Sequence, residues 1–420
     1  TNVAGSVTSA DATLMFTTCL ISLRSISVSP SFDATLSFNV DPANNYTFQS
    51  KDNLTNAQWQ DVNSVSSGSS TLTITDLSVT NSQKFYRLSS TCTATPPAGF
   101  IALSLLGNSD TFISLPFVRP AASSATVVSY AANVVTIALP NSQTWISNQF
   151  VYVSGSQSNT YYARFASGAL NGSIFPVTAN DTNSLTFDLN GGSLSGVVAN
   201  DLIYVEPYWS FNSVFPGGAG VNASPTIGNR NTEILMPDLT TAGINLSAAK
   251  IYFFHANIWK QVGQGSVDHG DDIIQPNTPF VVRHNVSTNT TLINAGNAIA
   301  ANIALALNIP PDASSKQDNY IGLMRPVTLT LDDSQLISSG AFAPSPVPGS
   351  RTDELLVFDN TSTAKNKSSS SVYYYWSGAW RRVGAGGTVV GSDPVFAPGV
   401  GIILRKGTNA PATWTNTPSY

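Results

Sequence analysis

Charge is what this sequence has least of. Asp, Glu, Lys and Arg make up 10% of its 420 residues, where about 25% is usual in a soluble domain. The 24 acidic residues outnumber the 19 basic ones, for a formal net charge of −5. Binding to a phosphate backbone needs a surplus of Lys and Arg, so the balance argues against nucleic acid and against an anionic membrane surface. No run of 18 apolar residues occurs, so no membrane-spanning helix is expected. Three histidines and two cysteines leave little material for a metal centre, and neither metal nor cofactor is expected. His255, His269 and His284 are scattered, and no G-x-S-x-G, H-E-x-x-H, P-loop or C-x-x-C frame is present. The motifs give an enzyme no support.

What is abundant is uncharged. Hydrophobic residues reach 42%, too many for a disordered chain, and the polar remainder is mostly Ser, Thr, Asn and Gly. This composition, with Thr rather than Met as the first residue, leads to the expectation of a secreted, extracellular protein from which a leader or tag has been trimmed. Cys19 and Cys92 flank one candidate domain. A bridge between them would close a loop of about 70 residues and contribute about 3–4 kcal/mol. Two unpaired thiols and an intermolecular bridge are the alternatives.

Short β-branched segments bounded by turn residues recur along the chain: Thr71–Thr75, Ala125–Ser129, Asn133–Ile137, Leu185–Leu189. They read as strands, and Asn190-Gly191 as a hairpin turn. Ala298–Leu307 fits helix and strand spacing alike, and alternation at Ile303, Leu305, Leu307 and Ile309 favours strand. The fold class is all-β.

An internal repeat organises the second half. Arg230-Asn-Thr-Glu-Ile-Leu235 matches Arg351-Thr-Asp-Glu-Leu-Leu356 at an offset of 121 residues, and Trp259 matches Trp380 at the same offset. Val262-Gly263 and Val383-Gly384 follow suit; one residue later, Arg283 matches Arg405. Phe112-Ile-Ser-Leu115 resembles Tyr320-Ile-Gly-Leu323, which places the start of the first copy before a long interruption. Tandem β-sandwich-like domains are therefore expected. Residues 1–21 are an N-terminal extension and 22–95 an immunoglobulin- or fibronectin-like sandwich. Residues 96–120 with 209–316 form the first copy, 121–208 an inserted small β-barrel, and 317–420 the second copy. Thr93–Gly99, with Pro96-Pro97, reads as a linker.

The paired W-(K/R)-x-V-G segments, Gly107-Asn-Ser-Asp-Thr-Phe112, Phe215-Pro-Gly-Gly218 and Arg351–Asp359 resemble those of exported, uncharacterised β-rich proteins that occur as many paralogues in Verrucomicrobia-type bacteria. The likeness covers about 97–420. Residues 22–90 resemble a small fibronectin-like module of secreted proteins. The resemblance implies export and a β-rich fold, and it carries no catalytic residues.

Asp268-His-Gly-Asp-Asp272 is the densest polar cluster. Its counterpart, Val389-Val-Gly-Ser-Asp393, keeps only Gly391 and Asp393, so a Gly/Asp turn is favoured over a calcium site. Glu233 and Glu354 stand beside Arg230 and Arg351, and two Arg–Glu pairs bracing the copies are favoured over a glycosidase carboxylate pair. Tyr373, Tyr374, Tyr375 and Trp376 are the best candidates for stacking on sugar rings, against a reading in which alternate rings enter the core. In Ala10–Leu23, Leu14, Phe16 and Leu20 fall on one face, with Met15, Cys19, Ile21 and Leu23 on the other. A strand apolar on both faces wants burial between layers. It is either the first strand of its own sandwich or, through Leu14, Phe16, Leu20 and Ile21, a strand donated to a neighbouring subunit. Head-to-tail donation does not close and builds a filament. The expectation is a structural subunit of an extracellular filament or surface layer, with itself as partner. A cell-surface adhesin binding polysaccharide is the alternative.

Overall fold

The computed structural model describes residues 21–42, 44–77, 79–91, 93–140 and 144–420. Leu14, Phe16, Cys19, Leu20 and Cys92 lie outside the described residues. Strands dominate the rest, and the only α-helical segment among the described residues is the single turn Phe211–Val214. No helix among them is long and apolar enough to cross a membrane. The fold class is all-β.

The first unit is a sandwich. β1 (Ser22–Val28), β2 (Ala34–Asn39) and β5 (Thr71–Asp76) form one sheet; β3 (Asn45–Lys51), β4 (Gln60–Ser66), β6 (Gln83–Ser89) and β7 (Ala98–Leu105) lie in the other, in the order β7-β6-β3-β4. Alternation explains the strands: in β2, Ala34, Leu36 and Phe38 are buried and the residues between them are not. They meet Phe48, Tyr86, Leu88 and Phe100 of the facing sheet. This is a β-sandwich of three strands on four.

β8 (Asp110–Ile113) follows β7 and is itself followed by a closed barrel. β9 (Ser123–Ala131), β10 (Val134–Ala138), β11 (Tyr161–Phe165), β12 (Ile174–Asp181), β13 (Ser184–Phe187) and β14 (Leu202–Pro207) close in the order β10-β13-β12-β11-β14-β9. Val127, Val135, Phe165, Phe175, Phe187 and Ile203 fill the interior, as side chains must in so small a barrel. Asn190 and Gly191 both have positive φ, the conformation of a hairpin turn, yet they follow β13 without joining two paired strands.

The chain then returns through the short pair β15 (Trp209–Ser210) and β19 (Ile273–Ile274) to complete a five-stranded sheet. Its strands are β16 (Thr232–Met236), β17 (Lys250–His255), β18 (Ile258–Gln261), β20 (Phe280–His284) and β8, ordered β18-β17-β16-β20-β8. A ribbon of β7 and β21 (Thr290–Asn297) covers its inner face. The second half repeats the plan. β22 (Ile303–Leu307) and β28 (Ala412–Asn416) form the ribbon. β23 (Gln317–Gly322), β24 (Glu354–Val357), β25 (Ser371–Trp376), β26 (Ala379–Arg382) and β27 (Gly401–Lys406) form the sheet β26-β25-β24-β27-β23. Trp259 and Trp380 occupy equivalent core positions. Trp259 packs against Phe211 and Phe215 at 5.1 and 5.3 Å, Trp380 against Phe342 and Tyr375 at 4.8 and 5.5 Å.

Two boundaries differ from the sequence reading. Ala98 and Gly99, placed at the end of a linker, begin β7. That strand pairs with β6 on one edge and along eight residues with β21 on the other, so it completes the sandwich and opens the first copy at once. The shared edge requires close approach: a Cβ at Gly99 would stand 2.4 Å from the Lys84 carbonyl oxygen. Likewise β22, assigned to the first copy, pairs with β28 and buries Ile303 and Leu307 beside Trp414. The second copy therefore starts at 303, not at 317. Its counterpart in the first copy is the Ile101–Leu105 part of β7; Tyr320 lies 13 residues after Leu307 but Phe112 only 7 after Leu105, and this change of offset hid the match. Arg325, 1% exposed, ties the junction between copies, donating to the carbonyls of Ile299 (2.9 Å), Ala301 (3.1 Å) and Asn416 (2.6 Å).

Candidate functional site

The two copies meet through the outer faces of their five-stranded sheets. Phe112 in β8 and Tyr320 in β23, equivalent residues, touch edge to face at 6.4 Å, and Leu356, Ile403 and Val281 complete the apolar patch. On each side a loop from one copy lies along the edge strand of the other. Asp110 N donates to Ala364 O at 2.8 Å, and Asn366 N to Asp110 Oδ2 at 2.7 Å. In the reverse direction, Asp318 N donates to Gly243 O at 3.0 Å, and Asn245 N to Asp318 Oδ2 at 2.8 Å. Gly243 and Asn245 stand 121 residues before Ala364 and Asn366. These contacts are exchanged when the copies are exchanged, the signature of an isologous two-fold interface.

An ion pair anchors each half. Arg283 grips Asp110 with Nε and Nη2 at 2.7 and 2.8 Å, and Arg405 grips Asp318 at 2.7 and 2.9 Å. Forked contact of this kind fixes orientation as well as charge. Hydrogen bonding to the carboxylate is the main cause that raises both guanidinium pKa values above their ordinary range. Asn366 Oδ1 accepts from Arg283 at 2.6 Å and Asn245 Oδ1 from Arg405 at 2.9 Å.

The two-fold match is broken where a cleft lies between the copies: Lys367 stands where the first copy has Leu246, and Phe358 where it has Pro237. Phe358 covers Phe112 at 5.3 Å, but its counterpart 121 residues earlier is Pro237, which is too small to fill the matching space. A hollow of about 620 Å³ lies between the copies, lined by both Pro237 and Phe358. Lys367 stands in its wall; burial is the main cause that lowers its pKa.

A second hollow, about 510 Å³, separates the barrel from the first copy and contains Asp268, Asp271 and Asp272 with Lys250 and Tyr152. These carboxylates serve local structure. Asp268 Oδ1 accepts from Gly270 N at 2.9 Å, and Asp272 Oδ2 from the Tyr252 hydroxyl at 2.7 Å. The second copy keeps the latter tie, from Tyr373 to Asp393 at 3.0 Å. Burial and the bonded carboxylate push both phenols up. Among the described residues no three His, Cys, Asp or Glu side chains are grouped to hold a metal ion.

Arg230 donates Nε to Glu233 Oε1 at 2.6 Å, and Arg351 to Glu354 at the same distance. Lys316 adds a second cation to Glu354 at 2.8 Å. These two cations overcome burial and hold the Glu354 carboxyl below its usual range. Tyr373 and Tyr374 are buried, while Tyr375 and Trp376 are half-buried. Trp376 lies under the Arg381 guanidinium at 5.7 Å. Ile21, offered as part of a donor strand, is half-buried against the sandwich core and leads directly into β1. It belongs to its own domain, so a donor segment has to end before it. The residues that join the copies, Asp110, Asp318, Asn245 and Asn366, were not read from the sequence. Asp110 and Asp318 stand two positions before the matched Phe112 and Tyr320, and extending that alignment would have found them.

Comparison with protein-family models, curated proteins and solved structures found no match for this chain.

Proposed function

We propose that this chain is a structural subunit of an extracellular filament or surface layer, whose copies join by adding a backbone strand to an open sheet edge. The observation that carries this reading is β5. The other outer strands of the sandwich are interrupted: β1 and β4 carry bulges, at Arg24 and Val62, and bulges turn an edge away from further pairing. β21 is covered by Val118, which exchanges two backbone hydrogen bonds with Asn297. β5 pairs with β2 at all six positions without a bulge. It has no Lys or Pro, and no charge before Asp76. Among the described residues no further strand lies beside it. An edge of that kind is a template for strand addition.

Charge supports the same reading. Many of the few charged groups are spent internally, in Arg164–Glu206, Arg283–Asp110, Arg405–Asp318 and Lys406–Asp353 among others, so neighbouring copies repel one another little. The donor this reading calls on is the segment before β1, in which the sequence pattern puts Leu14, Phe16 and Leu20 an even number of residues apart, as a shared strand face would require. The adhesin alternative has less to stand on, since half of its proposed aromatic platform is buried.

Electron microscopy of the full chain, beside a variant carrying Thr73→Lys and Thr75→Lys, tests this. Both threonines are exposed on β5, so the fold should persist by circular dichroism while lysine ammonium groups block the edge. Polymers are expected from the unaltered chain and monomers from the variant. A chain that stays monomeric at high concentration, or a variant that polymerises equally well, overturns the reading.

A further inference from the structure

The cleft between the two copies plays no part in assembly through β5. We propose that it binds a small amphiphile, an apolar body carrying an anionic head. A volume of about 620 Å³ lies within the range of small-molecule sites, which are concave, largely apolar and found where structural units meet. The walls here are apolar on both sides: Leu235, Ile251 and Val281 come from the first copy, Phe358 and Ile403 from the second.

The polar groups of the lining have donors to spare and few acceptors. Lys367 Nζ makes one hydrogen bond, to Asp359 O at 2.8 Å. Arg283 spends Nε and Nη2 on Asp110 and Asn366, and its Nη1 has no partner among the described residues. Asn245 and Asn366 each accept at Oδ1 from an arginine, and neither Nδ2 donates to a described residue. Asp110 is the only carboxylate among the described lining residues, and it already accepts three hydrogen bonds, two from the Arg283 fork and one from the Asn366 N–H. Within the lining itself, Lys367 and Arg283 against Asp110 leave one net positive charge with unspent donors, while Asp359 and Glu233 act on the two cations from outside it. Such a lining favours an acceptor-only, anionic head and disfavours a cation.

Titrating the full chain with 8-anilinonaphthalene-1-sulfonate, whose rings and sulfonate match this description, tests the site. One dye per chain is expected, displaced by decanoate but not by decyltrimethylammonium. Decanol, with the same chain and no charge, should compete at least tenfold less well than decanoate. Lys367→Gln removes one charge-assisted hydrogen bond and should weaken binding about tenfold. Val281→Trp fills the space and should abolish it. Should that variant fail to fold, Pro237→Phe installs the residue the second copy already uses, and Lys367→Gln at the rim keeps the test intact. The edge variant carrying Thr73→Lys and Thr75→Lys should bind as the parent does. The proposal is overturned by absence of saturable binding, by equal affinity in Lys367→Gln and the parent, or by equal displacement by all three decyl compounds.

Discussion

Replacing Lys406 with Met is expected to destabilise the second copy by about 3–5 kcal/mol, the usual cost of leaving one member of a buried ion pair behind. Lys406 and Asp353 are 1% and 0% exposed. Nζ donates to Asp353 Oδ2 at 2.5 Å and to Ala341 O at 2.9 Å. The carboxylate also accepts from Gly407 N and Ala343 N, both at 2.8 Å. Without the ammonium a charge stays in the core with only two amide donors. The repeat supplies the control. Where the second copy has Asp353 and Lys406, the first has Thr232 and His284, also buried, with Thr232 Oγ1 and His284 Nδ1 2.8 Å apart. One buried, hydrogen-bonded pair has been exchanged for another of different charge. The double variant Asp353→Thr with Lys406→His should therefore recover most of what Lys406→Met loses. Urea unfolding followed at Trp380 and Trp414, both in the second copy, measures it. A double variant no more stable than the single one would show that the two pairs are not interchangeable.

Acid is expected to weaken the first copy before the second. His284 is 0% exposed, and burial draws its pKa down from 6.5 to about 4. Thr290 Oγ1 donates to Gly220 O at 2.7 Å, so it accepts from His284 Nε2, 2.8 Å away. That leaves Nδ1 unprotonated and accepting from Thr232, whose oxygen in turn accepts from Asn222 N at 2.9 Å. A proton added at Nδ1 would oppose the Thr232 hydroxyl. Below pH 6.5 the unfolded chain takes up a proton that the folded one refuses, so stability falls as pH drops from about 6.5 to about 4, by roughly 2–3 kcal/mol from this residue. Thr232→Asp with His284→Lys installs the second copy's pair. Its carboxylate is protonated in the unfolded chain only near pH 4 and below, which should move the acid loss to lower pH. Melting temperatures at pH 7 and pH 4.5 compare the two. An equal drop in both proteins would assign the acid sensitivity to other groups.

Much of the architecture was legible because strand alternation and repeat spacing are written residue by residue. Ala34, Leu36 and Phe38 alternate in the sequence and point inward in β2. Trp259 and Trp380, Arg283 and Arg405, and Phe112 and Tyr320 aligned, and each pair occupies one place in a common fold. The cleft was not legible. Pro237 stands where the second copy has Phe358, and that difference acquires meaning only once Phe358 is known to cover Phe112 of the other copy. The two Arg–Asp anchors join β20 to β8 and β27 to β23, and no local pattern announces which strand will be a neighbour.

By itself, then, the order of residues determined a charge-poor, all-β chain with a duplicated unit, since side-chain alternation and burial follow from each segment alone. Only the tertiary structure decided that β7 serves the sandwich and the first copy together, and that the two copies face each other across a near two-fold axis. Both depend on which distant backbone edge and which outer face remain unpaired after each unit has formed, a property of the assembled sheets rather than of any stretch of sequence.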